Sequence, residues 1–499
     1  MSSLISPFSP SIPVSNLTYP CPQQKNPPED EDQPPPQTQT QTPDHSIALT
    51  LIKSATPTSP VFFSLRHLIE TDGAGTWPPH AVHGDGNGDS DAWPLPLRAY
   101  HEIYLQAAPS LSFPPGDVSL DDQVSISRVR AFRERVKRAL GERVDLDAVR
   151  EILQLSATET DTENPNRLPL SPAAYNGFTA CISNLRHAYR WGVIPVVRVA
   201  QEEKIIDFPE ELDVPWAFIA RRFEVSSMGG NVMTNYFCNF DKDGSMVYRF
   251  NVNPALAVAR DGDDDDGDGS DEIARAEYNF ARMFVGIERL ALPIYTEMAH
   301  ATTHFANGNK PACLSSLRRI STLFPAPLRI FYQTLVDRHI SPKVWMHYVQ
   351  GPTGWGAGEM INGEYVEYDG LSGSHIPFFR IADAFLGIEA YFDEGRMGRY
   401  VPVNQRKLTE RIRECNLRER AKMDGDEEIG NEMERLVRQL RTFRAAHRGR
   451  IHKYLSAPAP ERLIMTAGKS VLESEEIPEI ETAIKHLDGI LAKRIKETA

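Results

Sequence analysis

In the segment 431–455, NEMERLVRQLRTFRAAHRGRIHKYL, the apolar residues Met433, Leu436, Leu440, Phe443, Ile451 and Tyr454 recur at spacings of three, four, three, eight and three. With 3.6 residues to a turn, an α-helix gathers such positions onto one face, so the stretch must bury that side against other elements. The eight-residue gap is two turns long, and His447 stands at its centre. Its imidazole therefore points with the apolar side chains, while Arg441, Arg444, Arg448 and Arg450 spread round the flanks. A buried imidazole needs partners for its nitrogens, which a carbonyl, a carboxylate or a metal can supply. On spacing alone the commoner outcome is a hydrogen-bonded core histidine. What favours a ligand is Arg444, one turn earlier, where a guanidinium could reach an acidic edge of a bound cofactor. His452 lies about 140° round the helix from His447 and is no second ligand from that face.

Similar periodicity runs through most of the chain. RVRAFRERVKRALGERVDLDAVREILQL and FTACISNLRHAYRWGV read as helices, followed by VPWAFIARRFEV, the region 274–305, LSSLRRISTLFPAPLRIFYQTLVDRHI and IPFFRIADAFLGIEAYF. The 274–305 helix carries the stripe Phe280, Phe284, Ile287, Ala291, Ile294 and Met298, ordinary core packing by default. Strand signals are few, the best being MVYRFNV at 246–252. The expectation is an all-α protein with a large carboxy-terminal helical bundle over 205–499 and a smaller helical domain over 46–204. Residues 1–45, dominated by Pro, Gln, Thr and Ser, read as a disordered segment, because they cannot bury enough apolar surface to offset ordering entropy. Residues 72–96 read as a long loop with a solvated His80 and His83, and the acidic run 261–272 as an insertion.

Charge and cysteine usage narrow the function classes. A net charge of −14 argues against a general nucleic-acid binder, which needs a basic surface. The five cysteines, Cys21, Cys181, Cys238, Cys313 and Cys415, are scattered without a CxxC pair, so neither a disulfide framework nor a zinc site is indicated. No apolar run is long enough to cross a bilayer, and the amino terminus lacks a basic start followed by a clean apolar core. The chain is expected to be soluble, cytoplasmic, monomeric and free of membrane partners.

Three motif-like stretches fail on inspection. The calcium-loop mimic starting at Asp264 has Arg275 at its twelfth position, where a bidentate Glu is required. AGKS at 467–470 ends like a phosphate loop, but Leu463 stands where that motif needs its first glycine. HATTH, with His300 and His304, lacks the glutamate of a zinc hydrolase and reads as surface.

The segments AYRWG at 188–192, LDVPWAFIA at 212–220, HISPKVWM at 339–346, DAFLGI at 383–388 and LRTFRAAHRGRIHKYL at 440–455 stand in the order found in the indoleamine 2,3-dioxygenase superfamily. The chain resembles that superfamily over roughly residues 170–455, and FRAAH with Pro377 before FF is also similar to the related haem enzyme of pyrrolnitrin biosynthesis. The resemblance implies a haem b held through His447 as single proximal ligand, with dioxygen and a small-molecule indole as the other partners. It implies that Arg444 reaches the haem propionate region with Asp383 as its acidic partner, and that Phe280 borders both cofactor and substrate. It places Phe284, Trp345, Met346 and Gln350 in the substrate pocket, and Ser374 and His375 near the substrate on the covering loop GLSGSHIPFF. No catalytic side chain is implied.

Two departures bear on the substrate. Gln350 stands where tryptophan-cleaving members carry an arginine that holds the substrate carboxylate, and Phe284 where some have serine. Gln can donate a hydrogen bond but cannot form a charged bidentate clamp. The expected reaction is opening of the pyrrole ring of tryptophan or a tryptophan derivative to a formylkynurenine-type product. The alternatives are a ring-rearranging or monooxygenating haem enzyme of secondary metabolism, a non-catalytic haem protein, and a haem-free scaffold.

Overall fold

The computed structural model describes residues 59–72, 82, 92–112, 122–158, 170–192, 203–241, 243–258, 269–391, 394–455, 465–466, 469–470 and 480–498. The Pro/Gln/Thr-rich segment 1–45, most of the loop 72–96 with His80 and His83, and residues 261–268 of the acidic run lie outside the described residues.

The protein is all-α. The longer helices are α1 (Pro60–Asp72), α2 (Leu95–Ala107), α3 (Asp122–Arg143), α4 (Leu146–Thr158), α5 (Pro172–Trp191), α6 (Glu210–Phe223) and α7 (Gly269–Ala306). They continue with α8 (Lys310–Leu323), α9 (Pro325–Thr334), α10 (Pro377–Phe385), α11 (Val403–Cys415), α12 (Leu417–Met423), α13 (Glu427–Leu455) and α14 (Ile480–Glu497). Local chemistry sets several ends. The Asp145 carboxylate accepts from Ala148 N–H at 3.1 Å and starts α4, dividing one continuous helical pattern into two helices. Ser171 caps α5 at 3.1 Å, with Pro172 at the first helical position. Pro325 separates α8 from α9, since it has no N–H to continue the ladder. Gly269–Glu272, the end of the acidic run, is the first turn of α7.

Strand content differs from expectation. The segment 246–252 forms no strand: Met246 makes only an isolated bridge to Phe240. Asn239 takes both backbone groups of Tyr248, its amide donating to the carbonyl at 2.9 Å and accepting from the N–H at 2.8 Å. The next two N–H groups used, those of Phe250 and Asn251, go to the Glu277 carboxylate at 2.6 and 3.2 Å. Side chains have replaced the neighbouring strand. The described ladders are β1 (Ala357–Ile361) with β2 (Glu364–Tyr368), and β3 (Met465–Thr466) with β4 (Lys469–Ser470), both antiparallel. The first closes through Asn362 and Gly363 at φ 52° and 87°, the paired left-handed conformation that a two-residue hairpin turn requires. Of the AGKS stretch, Lys469 and Ser470 are described, and they pair as a strand with Met465 and Thr466.

The core is the meeting of α7 with α8, α9 and α10, with α13 packed on α8. Met433, Leu436 and Leu440 of α13 are fully buried and Phe443 nearly so, which is the face read from the spacing. The expected boundary at 204/205 does not divide the described residues into two bodies, because Thr42–Ala499 is one compact unit. α1 packs along α11, and Asn404 donates to Asp72 at 3.1 Å across that contact. No helix among the described residues is long and apolar enough to cross a membrane.

Candidate cofactor site around His447

His447 sits half-buried on α13 beside two rings that also touch each other. The Phe331 ring of α9 lies 4.7 Å away, and that of Phe443, one turn back, lies 5.9 Å away at 22° to the imidazole. Burial, with a smaller contribution from the Arg444 charge, pushes its pKa down to about 4, so the ring is neutral at pH 7 and offers a lone pair. Neither nitrogen has a hydrogen-bond partner among the described residues, and neither is sealed from solvent. A neutral imidazole offers a metal one lone pair and keeps one N–H to donate.

Arg444 and Asp383 meet directly. One guanidinium nitrogen of Arg444 donates to both Asp383 oxygens, at 2.7 and 2.8 Å. Burial pushes the Asp383 carboxyl up, and Arg444 and Arg494 in contact with it oppose that rise. Arg494, on α14, shares the same carboxylate and also donates to the Glu389 carbonyl at 2.8 Å, while Arg444 reaches Thr498 with its other nitrogen. Sequence reasoning missed this contribution from the carboxy-terminal helix. The available signal was the amphipathic LAKRIKET at 491–498.

A continuous aromatic wall extends from the same helix. Tyr454, two turns beyond His447, contacts Trp345 at 6.4 Å and donates to the Ile340 carbonyl at 2.8 Å. Trp345 lies 4.6 Å from Phe280, and Phe280 lies 5.0 Å edge-on to Phe284. Tyr236, which the sequence reading did not single out, stacks on Phe284 at 5.6 Å and meets Phe280 at 6.0 Å. Trp345 begins a π-turn, Trp345–Val349, in which the Gln350 N–H reaches back to the Trp345 carbonyl, five residues earlier. Such an inserted residue widens the helix and is frequent at functional sites. The Met346 side chain lies outside the described residues. Gln350 is 3% exposed, and its neighbours Val349 and Pro352 line a small pocket with Asn184, Asn235, Tyr236 and Glu277.

The loop 370–376 approaches this wall at Phe284. A Cβ built on Gly373 would lie 3.8 Å from the Phe284 ring, and one on Gly370 only 2.2 Å from the Thr353 carbonyl, so glycine permits the close approach at the loop's start. Ser374 shares a 2.6 Å hydroxyl contact with Ser372. His375 is buried and stacked on Tyr400 at 4.7 Å. Arg380 is buried and donates to Gln405 at 3.0 Å.

The structure thus joins Phe280, Phe284 and Trp345 to the helix of His447 and pairs Arg444 with Asp383. Among the described residues no group of three or more His, Cys, Asp or Glu side chains could hold a metal ion. His300 and His304 stand half-buried with rings 5.8 Å apart, and His300 also meets the Phe62 ring of α1 at 4.9 Å. No protein-family model and no curated protein matches this chain.

Proposed function

We propose that this chain is a haem-dependent oxygenase that opens the pyrrole ring of an indole, tryptophan or a tryptophan derivative, to a formylkynurenine-type product. The observation that carries the reading is the neutral His447 imidazole, held among Phe331 and Phe443 with no hydrogen-bond partner among the described residues. The residues present fit a haem b: His447 would ligate the iron, and Arg444, fixed by Asp383, would stand where an acidic edge can be met. When bound, the haem supplies dioxygen activation.

The chain's own part is positional. Phe280, Phe284 and Trp345 offer flat apolar surface against which an indole can stack. The loop 370–376 covers that surface and excludes water, which strengthens every polar interaction inside. No side chain acts as general base. Gln350, uncharged and buried, suits a substrate whose carboxylate is absent, masked or held elsewhere. The reading includes a monomeric, cytoplasmic enzyme with no nucleic-acid partner, in keeping with the charge of −14.

The test is an absorption spectrum of the haem-supplied protein beside that of His447→Ala. A Soret band in the first and its loss or change in coordination signature in the second is expected. Equal spectra overturn the assignment.

A further inference from the structure

Glu288 is completely buried on α7, one turn beyond Phe284 and two beyond Phe280, and therefore on the face that carries the aromatic wall. Its two oxygens are used in different directions. One accepts from the Tyr295 hydroxyl at 2.7 Å on its own helix. The other accepts from the Phe378 N–H at 2.8 Å, on a different helix. Phe378 is the second residue of α10, and its N–H is one of the groups a helix start leaves without an intrahelical acceptor. The residue at the cap position, Ile376, has no side chain able to serve it. Glu288 supplies the missing cap from another element, with the favourable sign for a helix amino terminus.

Immediately before α10 runs the loop 370–376, where a Cβ built on Gly373 would lie 3.8 Å from the Phe284 ring. Its other end is fixed by the Leu371 N–H donating to the Thr353 carbonyl at 2.8 Å. The covering loop is thus pinned at both ends, and the downstream pin is a carboxylate on the helix that forms the wall beneath it. Arg380, 6% exposed on α10, adds attraction between that carboxylate and the same helix.

We infer that Glu288 is a positioning residue, which locks the start of α10 and so holds the loop 370–376 closed over Phe280 and Phe284. Its consequence for substrate rests on the oxygenase reading above; the locking itself does not. One helix face carries both the surface an indole would stack on and the group that fixes the cover.

The experiment uses the full chain, supplied with haem, as wild type, Glu288→Gln, Glu288→Asp and Glu288→Ala. Backbone hydrogen exchange is followed by mass spectrometry over 370–380, with peptides of α13 as the internal reference. Gln keeps the length and can accept from Phe378 while donating to Tyr295, so exchange within about threefold of wild type is expected. Asp keeps the charge beside Arg380 but is one methylene too short to reach Phe378, and Ala removes both bonds. Each should raise exchange over 370–380 by about tenfold with α13 unchanged, and Asp carries the test should Ala fail to fold. Indole affinity, read from the Soret shift, should weaken about fivefold or more in Glu288→Asp while the indole-free band stays the same. Wild-type exchange over 370–380 in Glu288→Asp overturns the inference. A missing Soret band in every variant would instead count against the oxygenase reading and leave the exchange result to decide the role of Glu288.

Discussion

His187 and His447 are both interior histidines on long helices, and they have opposite surroundings. His187, on α5, is 1% exposed, and each of its nitrogens faces a carbonyl, that of Pro352 at 2.9 Å and that of Gly229. Trp355 packs at 5.0 Å. Burial pushes its pKa down while the two carbonyls resist. His447 is less buried, yet it has aromatic neighbours and no hydrogen-bond partner among the described residues. Depth of burial therefore does not set the state of an interior histidine's nitrogens. The nitrogens differ instead: those of the first ring face the carbonyls of Pro352 and Gly229, and those of the second have no described partner.

The largest expected effect tests that contrast through stability. His187→Ala removes a well-packed ring and leaves the buried carbonyl that accepts its one N–H without a donor, which should cost roughly 3 kcal/mol. His447→Ala breaks no hydrogen bond and should cost less than about 1 kcal/mol in the haem-free protein. Urea denaturation of both variants without haem measures the gap. Equal losses would show that His447 is also a structural histidine and would dissolve the comparison.

Protonation separates the two kinds of buried group further. The folded His447 ring takes a proton only near pH 4 and the unfolded ring near its ordinary 6.5, so between them the unfolded state binds more protons. Stability from this group is thus lost as pH falls from 6.5 toward 4. Burial moves Asp72 and Glu288 the other way, each up to about 7, so their stability is lost as pH rises from about 4 to 7. Asp72 is faced by Asn404, Arg222 and Arg380, and Glu288 by Tyr295, the Phe378 N–H and Arg380. Subtracting the stability of His447→Ala from that of wild type isolates the first effect. That difference should fall by roughly 1–2 kcal/mol from about pH 7 to pH 5, discounted for partial exposure. Subtracting Asp72→Asn should give a difference that falls from about pH 4 to pH 7. A flat first difference means the ring is better solvated than its neighbours indicate.

How far these environments were legible in the sequence depends on the range of the interactions. The α13 face could be read because Met433 through Phe443 repeat locally at the helical period, and burial followed. The hairpin at 357–368 is equally local, since Asn362-Gly363 is a strong turn signal, whereas the alternating MVYRFNV pairs with no strand. That segment's backbone partners are the side chains of Asn239 and Glu277, a substitution no periodicity reports. The partners of His187 lie 42 and 165 residues away, Glu288 reaches 90 residues to Phe378, and Arg494 reaches 111 to Asp383. Such pairings exist only once the chain is folded. His447 was noticed for its place in a stripe; its lack of partners required the neighbours to be seen.

Gln350 gives the smallest effect and the finest discrimination. It is 3% exposed next to the π-turn that carries Trp345, and it bears no charge. A guanidinium there would be costly unless an anion arrived to pair with it, and a substrate carboxylate is such an anion. Gln350→Arg should therefore raise kcat/KM for free tryptophan by about tenfold relative to an indole without a carboxylate, the worth of one charge-assisted hydrogen bond. The gain should appear in KM, because the carboxylate is bound alike in ground and transition states. An unchanged ratio would mean that this position does not face the substrate, and that the uncharged Gln350 says nothing about which indole the aromatic wall receives.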